Sequence, residues 1–342
     1  MAEDAVDRAA LWRRLAPLMD LVTPMALRVA VTLRLPDLVG ERGSGVGDLA
    51  ERAGADPDAL GRLLRHLVGH GVFAEPEPGV FARNDTAELL RRDHPSGAWR
   101  WLDLDGFGGR MDLACTALAD TVRTGQPAWE SVFGAPLWRC LDEDPELSAS
   151  FDATMAAGAV DRELAEGYDW GGYRTIADIG GGTGALLAAL LRRYGELRGV
   201  LVDLPATAAR ARRYLAGLGL ADRCETVGQS FFDELPAGAD EYVLNRVLHD
   251  WPDADAAAVL RRCADAAGGS GRVLIVESFV GAGADAAMAA EMSLRMLVLT
   301  GGRERTLADY RALTADAGLA IAARHDVGAR QSILECVPTA IP

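Results

Sequence analysis

The chain has 342 residues, 50 acidic and 35 basic side chains, a formal net charge of −15 and a hydrophobic content of 49%. This length allows two packed domains, and the acidic balance argues against a nucleic-acid partner, which would require a basic face. Five scattered cysteines without a CxxC spacing indicate neither a disulfide framework nor a cysteine zinc site.

The sequence shows no sign of export, membrane insertion or metal binding. We find no N-terminal signal-peptide pattern and no apolar run of about 18 residues. No carboxylate cluster with ligand spacing accompanies the motifs described below. We therefore expect a cytoplasmic protein without a membrane partner and without a metal.

The N-terminal part of the chain predicts helices and one small hairpin. Apolar residues recur at helical spacing over 5–21 and 24–33. Another helix is predicted over 58–69, and a hairpin around 72–74 and 80–82. Helices followed by a two-stranded wing are typical of a winged helix.

A winged helix raises DNA binding as an alternative function. The candidate recognition helix, 59–70, carries two arginines and two histidines. Residues 1–100, however, contain 15 acidic side chains against 13 arginines, so a basic footprint is missing. We expect no nucleic-acid partner.

Residues 98–167 predict helices that link this region to the next domain. Several aromatic and thioether side chains occur there. Packing is the default expectation for most of them.

Residues 168–342 have the pattern of an α/β sheet domain. Strands are predicted near 174–179, 198–203, 223–228, 240–245, 272–277, 319–325 and 331–337, with helices between most of them. The last two strands are separated only by residues 326–330, which favours an antiparallel pair at a sheet edge. Dinucleotide-binding folds usually do not end in this way.

The first of these strands ends in the most informative segment, Ile176–Gly184. It is a short apolar strand that runs into a glycine-rich turn and then directly into a helix. Glycine lets a ligand approach the backbone, and the start of a helix has free N–H groups. Gly180 and Gly182 fit a dinucleotide fingerprint, and Asp203 closes the next strand at a suitable distance for a ribose contact. By themselves these residues leave both NAD and S-adenosylmethionine open as cofactors.

Two further features separate these cofactors. A dinucleotide-binding fold often starts near the N-terminus, whereas here a long N-terminal region precedes the glycine turn. The predicted strand 241–245 also leads into the segment 246–252, RVLHDWP, and then into an amphipathic helix over 253–267.

Motifs in a fixed order carry a family resemblance. They are TPMALR at 23–28, RTGQP at 123–127, DIGGGTG at 178–184, VDLP at 202–205, GQSFFDELP at 228–236, VLHDWPD at 247–253 and GGRERT at 301–306. Over nearly its whole length the chain resembles the S-adenosylmethionine-dependent O-methyltransferases of the plant phenolic and bacterial polyketide-tailoring type. It is particularly similar to the bacterial enzymes that act on aromatic polyketides such as naphthoates and anthracyclines.

The resemblance implies an α/β fold. A Rossmann-like class I methyltransferase domain over 168–342 would follow a helical, winged-helix-like dimerisation domain over 1–97. The linking helices over 98–167 would contribute to the acceptor pocket. The implied assembly is a homodimer formed through the N-terminal helices, with S-adenosylmethionine as cofactor and a small aromatic molecule as acceptor.

The resemblance also assigns catalytic roles. His249 follows the fourth strand and matches the HDW motif, and an imidazole is a suitable general base for a phenol of pKa near ~10. Glu277 and Glu304 are the implied orienting acids; the alternative for Glu304 is an ordinary solvated loop charge. Asp250 could face the acceptor or cap the helix after Pro252.

The implied cofactor site contains Asp178, Gly180, Gly182, Asp203, Ser230, Phe231, Asn245 and Arg246. Asp203 would bind the ribose hydroxyls, and Ser230 and Phe231 would bracket the adenine. Many relatives carry aspartate at the position of Ser230, and plant relatives carry lysine at that of Asn245, so these two contacts differ from the family pattern.

The implied acceptor site contains Trp138, Phe151, Met155, Asp250 and Met296. Aromatic and thioether faces suit a planar polyphenol because they bury its rings without demanding hydrogen bonds.

We therefore predict an S-adenosylmethionine-dependent O-methyltransferase that methylates a phenolic hydroxyl of an aromatic, polyketide-type intermediate, with His249 as general base. The alternatives are a family member repurposed for N-methylation or for hydroxylation or decarboxylation, and, more remotely, an NAD-dependent oxidoreductase.

Overall fold

A computed structural model describes residues 8–40, 42–157, 161–279, 286–328 and 331–339. The chain divides into two compact units, Met1–Arg110 and Met111–Pro342. Short pieces of the predicted first helix (5–7), of the linking helices (158–160) and of the last connection (329–330) lie outside the described residues. The predicted domain boundaries at 97 and 167 stay predictions.

The N-terminal unit combines helices with a small sheet. Its elements are α1 (Arg8–Met19), α2 (Val22–Thr32), α3 (Leu35–Leu38), β1 (Ser44–Gly45), α4 (Val46–Ala53), α5 (Pro57–Gly69), β2 (Phe73–Glu77), β3 (Val80–Arg83) and α6 (Asp85–Leu89). Strand β3 pairs antiparallel with β1 and with β2. The predicted winged-helix pattern is confirmed, with β1 as an additional strand.

Helix α5 shows why this unit folds as the sequence predicts. The Asp56 side chain accepts a hydrogen bond from the Ala59 N–H, and Pro57 occupies the first turn, so the helix start is well capped. Leu60, Leu64 and Leu67 recur at helical spacing and are buried in the core of this unit. Burying one such side chain contributes about 1.5–3 kcal/mol.

Helix α1 leaves an apolar surface uncovered. It has no buried residue, and its exposed large side chains are Leu11, Trp12, Leu15, Leu18 and Met19. By length and composition alone, Arg8–Thr32 is also the one helical stretch among the described residues that could cross a membrane. An exposed apolar helix equally suits the predicted contact between two subunits.

The rest of the chain begins with six helices and continues with an alternating α/β pattern. The elements are α7 (Phe107–Ala114), α8 (Leu118–Thr124), α9 (Trp129–Phe133), α10 (Leu137–Glu143), α11 (Pro145–Ala157), α12 (Asp161–Gly167), β4 (Thr175–Ile179), α13 (Ala185–Arg193), β5 (Arg198–Asp203), α14 (Pro205–Gly217), β6 (Cys224–Gly228), β7 (Glu241–Asn245), α15 (Asp253–Ala267), β8 (Arg272–Glu277), α16 (Ala286–Leu299), α17 (Leu307–Asp316), β9 (Leu319–Val327) and β10 (Gln331–Pro338). All seven predicted strands of this domain are confirmed.

These strands form one sheet in the order β6-β5-β4-β7-β8-β10-β9. Strands β4 to β8 run parallel to one another, whereas β10 runs antiparallel to both β8 and β9. The predicted antiparallel pair at one edge is therefore confirmed.

Both faces of this sheet are buried, and successive strand residues point to opposite faces. Ile176 packs with helices α13 and α14 on one face, whereas Ala177 belongs to the core on the other face with Leu260 of α15 and Tyr310 of α17. Polar groups at the carboxyl ends of the parallel strands therefore meet at one edge, the usual place for a ligand.

Candidate functional site

The carboxyl edge of the sheet collects four predicted site residues. Asp178 lies near the end of β4, and Asp203, Asn245 and Glu277 end β5, β7 and β8. Neighbouring strands in the order β5-β4-β7-β8 carry them, so the edge places them side by side.

The turn after β4 has the conformation that its glycines permit. Gly180, Gly182 and Gly184 all have positive φ, of 71°, 57° and 82°. A Cβ on Gly180 would lie 2.8 Å from Val247, whereas one on Gly182 would meet no atom within 4 Å. The turn is thus tightly packed at Gly180 and open at Gly182, where a cofactor can approach the backbone.

Asp203 is tied to this turn. Its carboxylate accepts hydrogen bonds from the N–H of Gly182 at 2.8 Å and of Leu204 at 2.7 Å. Burial raises the pKa of Asp203 to about 6 although these hydrogen bonds oppose the shift. A carboxylate retains further acceptor capacity after two such bonds, so hydroxyl groups can still be bound.

Asp178 is a buried carboxylic acid without a hydrogen-bond partner for either oxygen among the described residues. Burial, with the charges of Asp161 and Asp203, raises its pKa to about 8. Asn245 donates to the Asp161 carboxylate at 3.3 Å, but its own Oδ1 is also unpaired within the described structure. Such orphaned acceptors require an explanation, and a cationic cofactor with an ammonium group fits them.

His249 lies in a short 3₁₀ turn, Leu248–Asp250, directly after β7. Its Nδ1 is 2.9 Å from Glu304 Oε1 and 3.6 Å from Glu277 Oε2. Its Nε2 is 3.7 Å from Asp250 Oδ1, and 16% of the side chain is exposed. If Nδ1 donates its proton to Glu304, Nε2 is the nitrogen that can accept one.

The surrounding carboxylates control the protonation of this imidazole. Burial by itself lowers the pKa of His249, but Glu277, Asp250 and Glu304 outweigh it and raise the pKa to about 10. Burial raises the pKa of Glu277 to about 7 and that of Asp250 to about 6, against the opposing charge of His249. The protonation of His249, Glu277 and Asp250 is therefore interdependent.

The geometry decides two alternatives that the sequence left open. Glu304 is buried and bonded to His249, so it is not a solvated loop charge. Helix α15 has Pro252 at its N-cap position and no side-chain cap, so Asp250 does not cap it.

A continuous group of aromatic rings joins the predicted cofactor and acceptor residues. Trp251 lies 5.7 Å from Phe231 and 4.8 Å from Phe232, measured between ring centroids. Trp138 stacks on Trp251 at 5.5 Å, and Phe151 contacts Trp138 edge-on at 6.0 Å. Trp251 was not among the predicted site residues, although its place in the HDW motif was a signal.

The remaining predicted residues occupy less diagnostic positions. Ser230 accepts a hydrogen bond from the Phe232 N–H, and Arg246 has a left-handed backbone with φ of 56°. Met155 follows Phe151 by one helical turn in α11, and Met296 is buried in α16. Ligand roles for Ser230, Arg246 and the two methionines stay predictions.

The GGRERT segment contributes two residues that the sequence analysis missed. A Cβ on Gly302 would lie 2.0 Å from the His249 carbonyl oxygen and 2.8 Å from the Trp251 nitrogen, so only glycine fits there. Arg305 is fully buried and donates to the carbonyl oxygens of Leu248 and Trp251.

Two family models match the chain. The O-methyltransferase dimerisation domain matches residues 17–93, and the O-methyltransferase domain matches residues 115–320.

Individual relatives agree with these matches. The chain is 46% identical over 315 residues to the 2,7-dihydroxy-5-methyl-1-naphthoate 7-O-methyltransferase of Streptomyces carzinostaticus, covering 92% of this chain and 94% of the relative. It is 42% identical over 318 residues to the aclacinomycin 10-hydroxylase RdmB of Streptomyces purpurascens, covering 90% and 84%.

A solved structure shows the same architecture. The O-methyltransferase NcsB1 from neocarzinostatin biosynthesis, in complex with S-adenosylmethionine and 2-hydroxy-5-methyl naphthoic acid, superimposes with a TM-score of 0.88. It has 45% sequence identity, and the match covers 94% of this chain and 98% of that one. The chain thus belongs to the S-adenosylmethionine-dependent O-methyltransferase family, with an N-terminal dimerisation domain followed in sequence by a class I methyltransferase fold.

Proposed function

We propose that this enzyme methylates a phenolic hydroxyl of an aromatic, polyketide-type natural product, with His249 as general base. The observation that carries the proposal is the 2.9 Å contact between His249 Nδ1 and Glu304 beside the glycine turn. The naphthoate substrate in the name of one relative and the naphthoic acid in the NcsB1 complex support an aromatic acceptor.

The cofactor site fits the family's methyl donor. S-adenosylmethionine supplies an electrophilic methyl group when bound. Gly180 and Gly182 would hold S-adenosylmethionine through the open glycine turn. Asp203 would accept hydrogen bonds from its ribose hydroxyls. Asp178 would lie below the turn as a counter-charge to the positively charged ligand, because its buried oxygens have no partner among the described residues.

The adenine and the methionine end have separate candidates. Phe231, with Ser230 beside it, would flank the adenine, since aromatic rings favour stacked or edge-on contacts. Asn245 and Arg246 would lie at the methionine end, where the unpaired Asn245 Oδ1 can accept a hydrogen bond.

Proton removal would depend on His249 Nε2. Glu304 would hold the Nδ1–H, and Glu277 would stabilise the imidazolium that forms. Only the neutral imidazole can accept the phenolic proton, and the carboxylates favour the protonated form. A positive charge bound at this edge would lower the pKa of His249 and so increase the neutral fraction.

The acceptor would lie against the aromatic group. Trp138 and Phe151 contribute ring faces that suit a planar molecule, with Met155 and Met296 as adaptable apolar neighbours. Asp250, near Nε2, would lie close to the reacting hydroxyl.

We also propose a cytoplasmic homodimer formed through α1 and α2, with domains over 1–97, 98–167 and 168–342. The dimerisation-domain match over residues 17–93 and the exposed apolar side chains of α1 support the dimer.

The test is methyl transfer from labelled S-adenosylmethionine to hydroxylated naphthoates, anthraquinones and simple phenols, beside matched aromatic amines. We expect O-methyl products. Exclusive N-methylation, or oxygenated or decarboxylated products, would contradict it. S-adenosylhomocysteine at about 100 times its Kd should stabilise the protein by ~2.7 kcal/mol, and NAD should not.

A further inference from the structure

The turn that carries His249 is bonded by a buried guanidinium. Arg305 has no solvent exposure. Its Nη1 donates to the Leu248 carbonyl at 2.6 Å, and its Nη2 donates to the Trp251 carbonyl at 2.7 Å. Nε and Nη2 also donate to Asp253 Oδ1 at 3.0 and 2.8 Å. One side chain therefore bonds the carbonyl groups on both sides of the histidine.

The N–H groups of the same turn have a different partner. Leu248 and His249 donate their backbone N–H groups to Glu277 Oε1 at 3.0 and 3.3 Å. Glu277 thus binds the donors of the turn and Arg305 binds its acceptors. The imidazole is therefore located by the backbone as well as by its side-chain contact with Glu304.

Arg305 is also adjacent to the orienting acid. It directly follows Glu304 in sequence, so bonds from its guanidinium to the turn limit how far the Glu304 carboxylate can move. Arg305 forms an isolated parallel bridge with Phe279, two residues beyond the end of β8 at Glu277. The segments that carry Glu277 and Glu304 are consequently joined by this backbone bridge.

Burying the Arg305 guanidinium costs free energy, which a role in stability alone does not explain. A buried cation loses several kcal/mol of hydration free energy, and its pairing with Asp253, which is 57% exposed, is weak evidence for stability. Here the guanidinium makes four hydrogen bonds to residues 248–253 within the described part of the chain.

We propose that Arg305 is a positioning residue for methyl transfer, which holds the His249 imidazole and the Glu304 carboxylate in the geometry needed for proton removal. This inference rests on the proposed role of His249 as general base. A displacement of about 1 Å at the reacting groups can cost ~10²-fold in rate.

The experiment compares Arg305→Met with Arg303→Met. Arg303 is a matched control because it pairs with the same carboxylate, at 3.0 Å from Asp253 Oδ2, but is 46% exposed, and its described partners are carboxylates. We expect Arg305→Met to lower kcat by about 10²-fold while the KM for S-adenosylmethionine changes less than about threefold. Arg303→Met should stay within about threefold of wild type in kcat.

The pH profile separates positioning from simple stability. Loosening the contact between His249 and Glu304 lowers the pKa of the imidazole, so the rise of kcat with pH should move to lower pH in Arg305→Met but not in Arg303→Met. Arg305→Lys keeps the charge without the planar fork and should show the same changes to a smaller degree. If Arg305→Met does not fold, Arg305→Lys decides whether Arg305 is a positioning residue. A variant counts as folded when S-adenosylhomocysteine stabilises it.

Several outcomes would overturn the inference. A kcat within about threefold of wild type in the folded Arg305 variants would do so, as would a lower kcat with an unchanged pH profile. Failure of both variants to fold would assign Arg305 to stability instead. His249→Ala, measured in parallel, tests the base itself: if it loses activity while the Arg305 variants keep theirs, only this inference fails.

Discussion

At the scale of single residues, the imidazole of His249 depends on its neighbours for its basicity. Glu277, Asp250 and Glu304 together raise its pKa to about 10 despite burial. A stronger base is a better proton acceptor, but it is also protonated over more of the pH range. The acids therefore increase basicity at the expense of the neutral fraction.

Glu304→Gln tests this balance, because it removes the charge and keeps the shape. The pKa of His249 should fall, so the rise of kcat/KM with pH should move to lower pH, and the plateau should fall by about tenfold because the base is weaker. The measurement is kcat/KM from pH 6 to 10, with exposed Glu291→Gln as control. An unchanged profile in Glu304→Gln would contradict the assignment.

The Asp178 carboxyl predicts a second pH effect. Its pKa is raised from 3.8 to about 8, so between these values the folded protein binds a proton that the unfolded chain has released. Stability contributed by this group therefore decreases as pH rises from about 4 to about 8. One pKa unit corresponds to ~1.4 kcal/mol.

Asp178→Asn should consequently stabilise the ligand-free protein at pH 8 more than at pH 5, by on the order of a few kcal/mol. It should also weaken S-adenosylhomocysteine binding by about tenfold or more, because an amide cannot ionise beside the ligand's ammonium group as the carboxyl can. Denaturant unfolding at both pH values, with and without ligand, measures both effects. Equal stability changes at the two pH values would refute the buried-acid account.

At the scale of elements, the sheet was predictable and the contacts between its loops were not. Apolar runs with turn residues between them predicted the seven strands, and the short gap before β10 predicted its antiparallel pairing. Strand β1 was missed because two residues, Ser44 and Gly45, show no alternation of apolar and polar side chains.

The site divides in the same way. Motifs placed His249 and Asp203 at strand ends, where local sequence indicates position. Arg305 was missed because its partners lie more than 50 residues away in sequence. The close approach of Gly302 to the His249 carbonyl is likewise a tertiary contact without a local signature.

Gly302→Ala tests this approach between loops. The new methyl group would lie against backbone that cannot rotate away, so we expect a loss of ~1–3 kcal/mol in stability and a lower kcat. Gly269→Ala is the control, because a Cβ there meets no atom within 4 Å. The account of the turn fails if both variants match wild type in melting temperature and kcat.

At the scale of the whole molecule, the first N-terminal helix has large apolar side chains that remain exposed in a single chain. Leu15 is 47% exposed and Leu18 is 82% exposed on α1. Scattered apolar residues are normal on a surface, but a run of them along one helix indicates an interface.

Leu15→Arg with Leu18→Arg should convert a dimer into a monomer, because two charges would be buried without partners. Sedimentation velocity of wild type and variant measures the mass directly. Val122→Arg, which replaces another exposed apolar residue, should leave the dimer intact. A monomeric wild type, or a double variant that stays dimeric, would contradict the proposed interface.

The most direct test of the central claim is the rate of methyl transfer by His249→Ala with two acceptors of similar shape. For a phenol with a pKa near ~10, the account predicts a loss of ~10²–10⁴-fold relative to wild type. For a nitro-substituted analogue that is already ionised at the assay pH, it predicts a loss below about tenfold, since no proton must be removed. Equal losses with both acceptors, or no loss with either, would contradict His249 as the general base.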